Sequence, residues 1–87
     1  MARFRKKPVE VEARQWTDGN GFQIVGWING EGGSAKLHRS ETPSYIEVDT
    51  LEGTMRADHD NWIIQGVKGE FYPCKPDIFE ATYEAVA

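Results

Sequence analysis

Residues 61–84 read NWIIQGVKGEFYPCKPDIFEATYE, and this stretch decides the fold. Trp62 to Gln65 and Glu70 to Tyr72 are short runs of β-branched and aromatic residues, the side chains that best fill a pleated surface. Gly66-Val67-Lys68-Gly69 lies between them, and its glycines supply the backbone freedom of a tight reversal. A hairpin is predicted. Pro73 and Pro76 have no amide proton to give to a ladder and are expected to end it. After Pro76, Asp77 is placed to cap a helical turn, Ile78 and Phe79 are expected inside, and Glu80 completes a pattern like a capping box. Phe79 and Tyr83 stand at a helical interval, whereas Thr82, Tyr83 and Val86 favour extended chain. The expectation is a helical turn followed by a last strand over residues 81–86 that pairs with the first strand and closes the sheet.

Upstream, Val9, Val11 and Ala13 alternate with Glu10, Glu12 and Arg14, which predicts a first strand from Val9 to Trp16 with one wet face. Thr17-Asp18-Gly19-Asn20-Gly21 is turn chemistry, with Asp18 or Asn20 available to cap the next helix. Phe22, Ile24, Val25 and Ile28 recur at helical spacing and predict a short helix over residues 21–29. Trp27 falls partly off its apolar stripe, Gly26 lowers its propensity, and Gly30 is available as the left-handed residue that closes it. Residues 30–44 hold three of the nine glycines and Pro43, and read as a loop or loose hairpin around Lys36 to Arg39. Ile46 and Val48 alternate with Glu47 and Asp49, and Glu52-Gly53 turns the chain into Thr54-Met55-Arg56-Ala57, a further hairpin. Asp58 to Asn61 is a polar connection. The predicted fold is α+β, a small antiparallel sheet or partly open barrel of about five strands with one short helix packed on it.

Eighty-seven residues suffice for one domain spanning 1–87, at a size where the buried fraction of surface is modest. An apolar content of 39% with 11% aromatics exceeds what disordered chains carry. Cys74 is the only cysteine, so no intrachain disulfide reinforces the core, and oligomerisation is the expected supplement. No apolar run approaches the ~18 residues of a membrane span, and no secretory signal is evident; a cytoplasmic protein with no membrane partner is expected. The net charge of −4 is unevenly spread. Arg3, Arg5, Lys6 and Lys7 form a basic arm over residues 1–7, leaving six basic residues against fourteen acidic ones, and a net −8, from Pro8 onward. A body this acidic argues against extended nucleic-acid binding, which needs a basic face.

Two segments carry a family resemblance. MARFRKKPVEVEARQW at residues 1–16 and TLEGTMRADHDNWIIQGVKGEFYPCKPDIFEATYE at residues 50–84 resemble a group of small proteins encoded by tailed phages and prophages. Members usually read Pro-Gly-Asp before the aromatic residue that opens the second hairpin, where this chain has His59-Asp60-Asn61 before Trp62. The resemblance implies a phage or prophage origin and a compact α+β domain, and it brings no catalytic residues.

The chemistry-bearing clusters each have a plain structural reading. Asp58-His59-Asp60 has the ligand types of a zinc site, but adjacent residues rarely converge on one ion, and a polar loop explains them. Cys74 beside Lys75 has the makings of an activated thiol, but a nucleophile also needs a base, for which the chain has only His38 and His59. Glu10, Glu12, Glu47 and Asp49 share the outward faces of strands. Gly30 to Gly33 lacks the Lys-Ser/Thr ending of a phosphate-binding loop. No catalytic residue, metal or cofactor is assigned. Trp62 and Tyr72 with Arg56, Lys68 and Lys75 remain as a ligand-binding set, since rings stack on bases and cations neutralise phosphates. The expected function is that of a non-enzymatic phage accessory protein, sequestering a small host ligand such as a nucleotide-derived immune signal at a subunit interface. The alternative is an adaptor or inhibitor docking on a host or phage protein through its acidic surface or an open sheet edge.

Overall fold

The computed structural model of the chain describes residues 1–5 and 7–86, so Lys6 of the basic arm and Ala87 lie outside the described residues. The predicted second hairpin is present as β5 (Trp62–Gln65) and β6 (Phe71–Cys74), antiparallel with Gln65 opposite Phe71 and Trp62 opposite Cys74. The Gly66 N–H donates to Glu70 O at 2.7 Å and the Gly69 N–H to Gly66 O at 3.0 Å, with Gly69 at φ +82°. Pro73 lies inside β6, opposite Ile63, rather than ending it. The Gly66–Glu70 bond makes Ile64–Tyr72 and Trp62–Cys74 the hydrogen-bonded pairs by alternation, so the proline nitrogen faces the free edge.

The first strand, β1 (Glu12–Gln15), is shorter than the alternation predicts because its ladder with β5 begins only at Glu12 opposite Gln65. Val9 is exposed there, with no neighbouring strand to cover it. At the other end the Trp16 N–H donates to Asn61 O at 2.9 Å and the Asp60 N–H to Trp16 O at 2.7 Å. One three-stranded sheet is thus ordered β1-β5-β6. Residues 83–86 form no strand, so the expected closure against β1 does not occur, and β1 is an open edge.

The second sheet is ordered β2-β3-β4. β3 (Tyr45–Thr50) and β4 (Gly53–Ala57) are the predicted hairpin, with Gly53 at φ +112° and the Thr50 hydroxyl donating to Gly53 O at 2.7 Å. β2 (Ala35–His38) is a regular strand where a loop or loose hairpin was expected. Its order comes from distant partners. The Asn29 side chain accepts the Ala35 N–H at 2.8 Å and donates to Ala35 O at 3.3 Å, and Leu37 packs on Gly21, where an added Cβ would lie 3.1 Å from Leu37 Cδ2. The fold is therefore α+β as predicted, but with two three-stranded antiparallel sheets in place of one sheet or a barrel.

The predicted helix is α1 (Gly21–Gly30). Its buried stripe is Ile24, Trp27 and Ile28, so Trp27, at 9% exposure, lies on the stripe and Phe22 lies off it. Asn20 sits at the cap position but does not cap; its Oδ1 accepts the Thr17 N–H at 2.8 Å and its Nδ2 donates to Gln15 O at 2.9 Å. Gly30 stays helical, and the left-handed residue is Gly32 at φ +90°. Trp27 meets Phe71 edge-on at 5.2 Å, and Arg14 lies over its ring at 4.5 Å. Ile46, Val48 and Ala57 from one sheet, Ile63 and Phe71 from the other, and Trp16 complete the core. Each fully buried isoleucine, valine or phenylalanine among these contributes about 1.5–3 kcal/mol. The second helix, α2 (Pro76–Thr82), is longer than the predicted single turn. Pro76 is its first residue and Asp77 lies inside it without capping; Ile78 is 54% exposed, not inside.

Candidate functional site

On the face of β1-β5-β6 turned away from the main core, the register groups Ala13, Ile64 and Tyr72 in one row and Gln15, Trp62 and Cys74 in the next. α2 covers part of this face. Phe79 stacks on Trp62 with centroids 4.1 Å apart, Tyr83 stacks on Phe79 at 5.0 Å, and the Tyr83 hydroxyl lies 3.4 Å from that of Tyr72. Burial, then the Tyr83 hydroxyl bond, then the charges of Tyr83, Glu70 and Cys74 push the Tyr72 phenol up to about 12. One face of Trp62 is covered, and its indole Nε1 is buried without a hydrogen-bond partner. Two of the five predicted ligand-binding residues are thus neighbours in a small aromatic layer.

The three cations lie apart. Arg56, on the outer face of β4, donates from Nε to Asp58 Oδ1 at 2.7 Å and lies over Tyr45 at 4.2 Å. Tyr45 in turn stacks on His38 at 4.4 Å, and His38 Nε2 lies 3.1 Å from Glu47 Oε1 at an angle outside hydrogen-bond geometry, a proximity and not a bond. Lys68 sits in the β5–β6 turn, where its backbone N–H donates to Glu70 Oε1 at 3.0 Å, while Lys75 follows β6 at the opposite end of the hairpin. Four strand residues at about 3.3 Å each separate those ends, roughly 13 Å, so Lys68 and Lys75 do not grip one phosphate.

A concave surface lies between the β3–β4 turn and β6. Two hollows of about 260 and 360 Å³ share Thr50, Leu51, Glu70 and Phe71 and so form one groove. Its apolar lining is Leu51, Met55, Phe71 and Pro73 and its acidic residues are Asp49, Glu52 and Glu70, of which Asp49 Oδ1 accepts the Thr54 hydroxyl at 2.9 Å and Glu70 Oε1 the Lys68 N–H at 3.0 Å. Among the described residues no lysine or arginine lines either hollow, and of the five predicted residues only Tyr72 reaches it. Leu51 was the available signal for this groove, an apolar residue in a two-residue turn, 77% exposed.

The other sequence clusters are used structurally. His59 Nε2 lies 2.9 Å from Ser44 Oγ, and its ring rests on Trp16 at 4.4 Å, tying the loop before β3 to the connection before β5. A Ser–His pair resembles part of a nucleophilic triad, but among the described residues no carboxylate lies at ion-pair distance from His59 to orient it. Among the described residues no three His, Cys, Asp or Glu side chains gather around a point that would hold a metal ion. Burial, with the Asp77 charge second, pushes the Cys74 thiol up, away from the thiolate an activated nucleophile needs. No family model, curated protein or solved structure matches the chain.

Proposed function

We propose that this protein works by binding, not by chemistry, and that it docks a basic, partly apolar segment of a partner protein in the groove between the β3–β4 turn and β6. The groove lining carries this reading: three acidic residues beside Leu51, Met55, Phe71 and Pro73. Phosphate would meet like charge there, whereas arginine or lysine would find partners and an adjacent apolar side chain would cover Leu51 and Met55. Exposed ion pairs contribute only about 0.2–1 kcal/mol each, so the apolar contact supplies the affinity and the carboxylates select the sign of the partner. The occupation of His59 by Ser44 and Trp16, and the raised Cys74 thiol, support a non-enzymatic role. With the phage resemblance, the protein is an accessory factor acting on a host or phage protein in the host cytoplasm.

A second reading is the sequestration of a nucleotide-derived host signal by Trp62, Tyr72, Arg56, Lys68 and Lys75. One observation favours it: the buried Trp62 Nε1 lacks a partner that an acceptor on a ligand would supply, provided α2 lifts Phe79 away. Calorimetry distinguishes the two. A short Arg- and Phe-containing peptide is expected to bind with salt-sensitive affinity, weakened by Glu52→Gln, while cyclic and linear nucleotides give no heat. Nucleotide binding with no response to the peptide would replace the first reading with the second.

A further inference from the structure

We infer that the occupant of the groove is the basic arm of a second copy of this chain, two copies exchanging arms so that each groove is filled by its partner's Arg3-Phe4-Arg5. This rests on the proposed reading that the groove accepts basic, apolar segments. The arm has the complementary composition: Arg3, Arg5 and Lys7 flank a phenylalanine, in a chain whose remainder carries an excess of acid. Among the described residues it is also unused within its own copy. Phe4 is 95% exposed, the neighbouring arginines are exposed, and neither arginine is in a salt bridge among the described residues.

The topology directs the arm outward. It leaves from β1, one edge of its sheet, while the groove is lined by β6 at the other edge. Pro8 fixes its own φ and biases Lys7 toward extended backbone, opposing a fold back across the sheet. The molecule measures 54 × 25 × 23 Å. An extended segment of residues 1–11 spans at most about 36–40 Å, enough to cross the short dimension of a neighbouring body. The exchange is isologous, so one two-fold axis fills both grooves. Arm and groove lining together sit at the lower end of the ~20–30 residues a side of a standard interface, which makes the dimer weak and its population concentration-dependent.

Sedimentation velocity on the full chain, from micromolar to millimolar concentration at low salt, tests this. A monomer–dimer equilibrium is expected that shifts to monomer near 1 M salt, where the Debye length falls to about 3 Å. Arg3→Glu with Arg5→Glu, and separately Glu52→Lys, are each expected to weaken dimerisation about tenfold or more, by replacing attraction with repulsion. A mixture of the two variants is expected to associate through one restored arm–groove contact, and thermal unfolding of each to stay close to the parent. A wild-type chain that remains monomeric throughout, or a dimer indifferent to both variants, overturns the exchange. A synthetic peptide of residues 1–8 separates the two levels. If it binds a chain that stays monomeric, the groove reading survives and the exchange fails; if it does not bind and the chain stays monomeric, both fail.

Discussion

Phe79 lies flat on Trp62, ring centroids 4.1 Å apart and planes 7° from parallel, and this contact is the principal attachment of a helix that has no fully buried residue of its own. The C-terminal helix therefore depends on a single aromatic plate. Phe79→Ala is expected to destabilise the fold by about 1–2 kcal/mol, below the 3–5 of a fully buried phenylalanine because Phe79 is only half-buried. Tryptophan emission should shift to the red as Trp62 gains solvent, while Trp16 and Trp27 stay covered. Urea unfolding followed by fluorescence measures both, and unchanged emission would show that the helix does not shield Trp62.

Tyr72 holds its proton more tightly when folded, with its phenol pushed up to about 12 by burial first and by the Tyr83 hydroxyl second. Between the ordinary tyrosine value near 10 and the folded value, the unfolded chain has lost the proton that the native protein keeps. The native state binds more protons in that window, so stability is fully present below about pH 10 and falls as the pH rises toward 12. Tyr83→Phe should move the Tyr72 midpoint part of the way back, leaving the effect of burial. A tyrosinate absorbance titration reads this directly; no movement in the variant would mean the hydroxyl pair is not formed.

Gly33 packs its backbone into the core, and a Cβ there would lie 2.7 Å from both Ile28 Cγ2 and Phe71 Cδ2. Neither atom is at the end of a flexible chain, so the core must open. Gly33→Ala is expected to cost about 1–3 kcal/mol through overpacking, despite the better intrinsic propensity of alanine. The denaturation midpoint should fall with little change in slope. A neutral substitution would place Gly33 further from Phe71 than this packing requires.

Asp60 adopts φ +73°, the one non-glycine residue with positive φ among the described residues. Its N–H and C=O remain bonded, to Trp16 O at 2.7 Å and from Gln15 Nε2 at 3.0 Å, so the turn is set by its neighbours and not by its side chain. Asp60→Gly relieves left-handed strain of about 1 kcal/mol and gives part of it back as unfolded-state entropy, for a net stabilisation of up to about 0.5 kcal/mol. Asp60→Ala keeps the strain without the local bonding of aspartate and should destabilise. Thermal unfolding of the pair, ordered glycine above aspartate above alanine, is the check.

Local grammar made the two hairpins readable. Gly66 to Gly69 reverses the chain as read, while the β3–β4 reversal falls one residue earlier than Glu52-Gly53, at Leu51-Glu52, with Gly53 pairing with Thr50 at a positive φ that glycine accepts at little cost; Ile46 with Val48 shows which face of β3 is buried by simple alternation. The helix after Asn20 was readable from the spacing of Ile24 and Ile28. What misled was context. Pro73 signals a strand end unless the strand is a sheet edge, and edges are a property of strand order. Residues 35–38 carry few strand-forming side chains and become a strand because Asn29 holds Ala35 and β3 offers a ladder.

The same division holds for the candidate site. Trp62 and Tyr72 sit in neighbouring rows on one sheet face, as period-two alternation requires, but Lys68, Lys75 and Arg56 are separated by the length of a hairpin or by a change of sheet. The groove joins Leu51 and Glu52 from one turn to Glu70 and Phe71 from another strand pair, residues with no relation along the chain. The amino-acid sequence alone determined the reversals, the buried faces and the charge imbalance between arm and body, because these follow from backbone freedom, periodicity and composition within a few residues. Which strands became neighbours, which rings were covered and where the carboxylates gathered were decided only by tertiary packing, since each depends on surfaces that meet only after the two sheets and the helices have closed on one core.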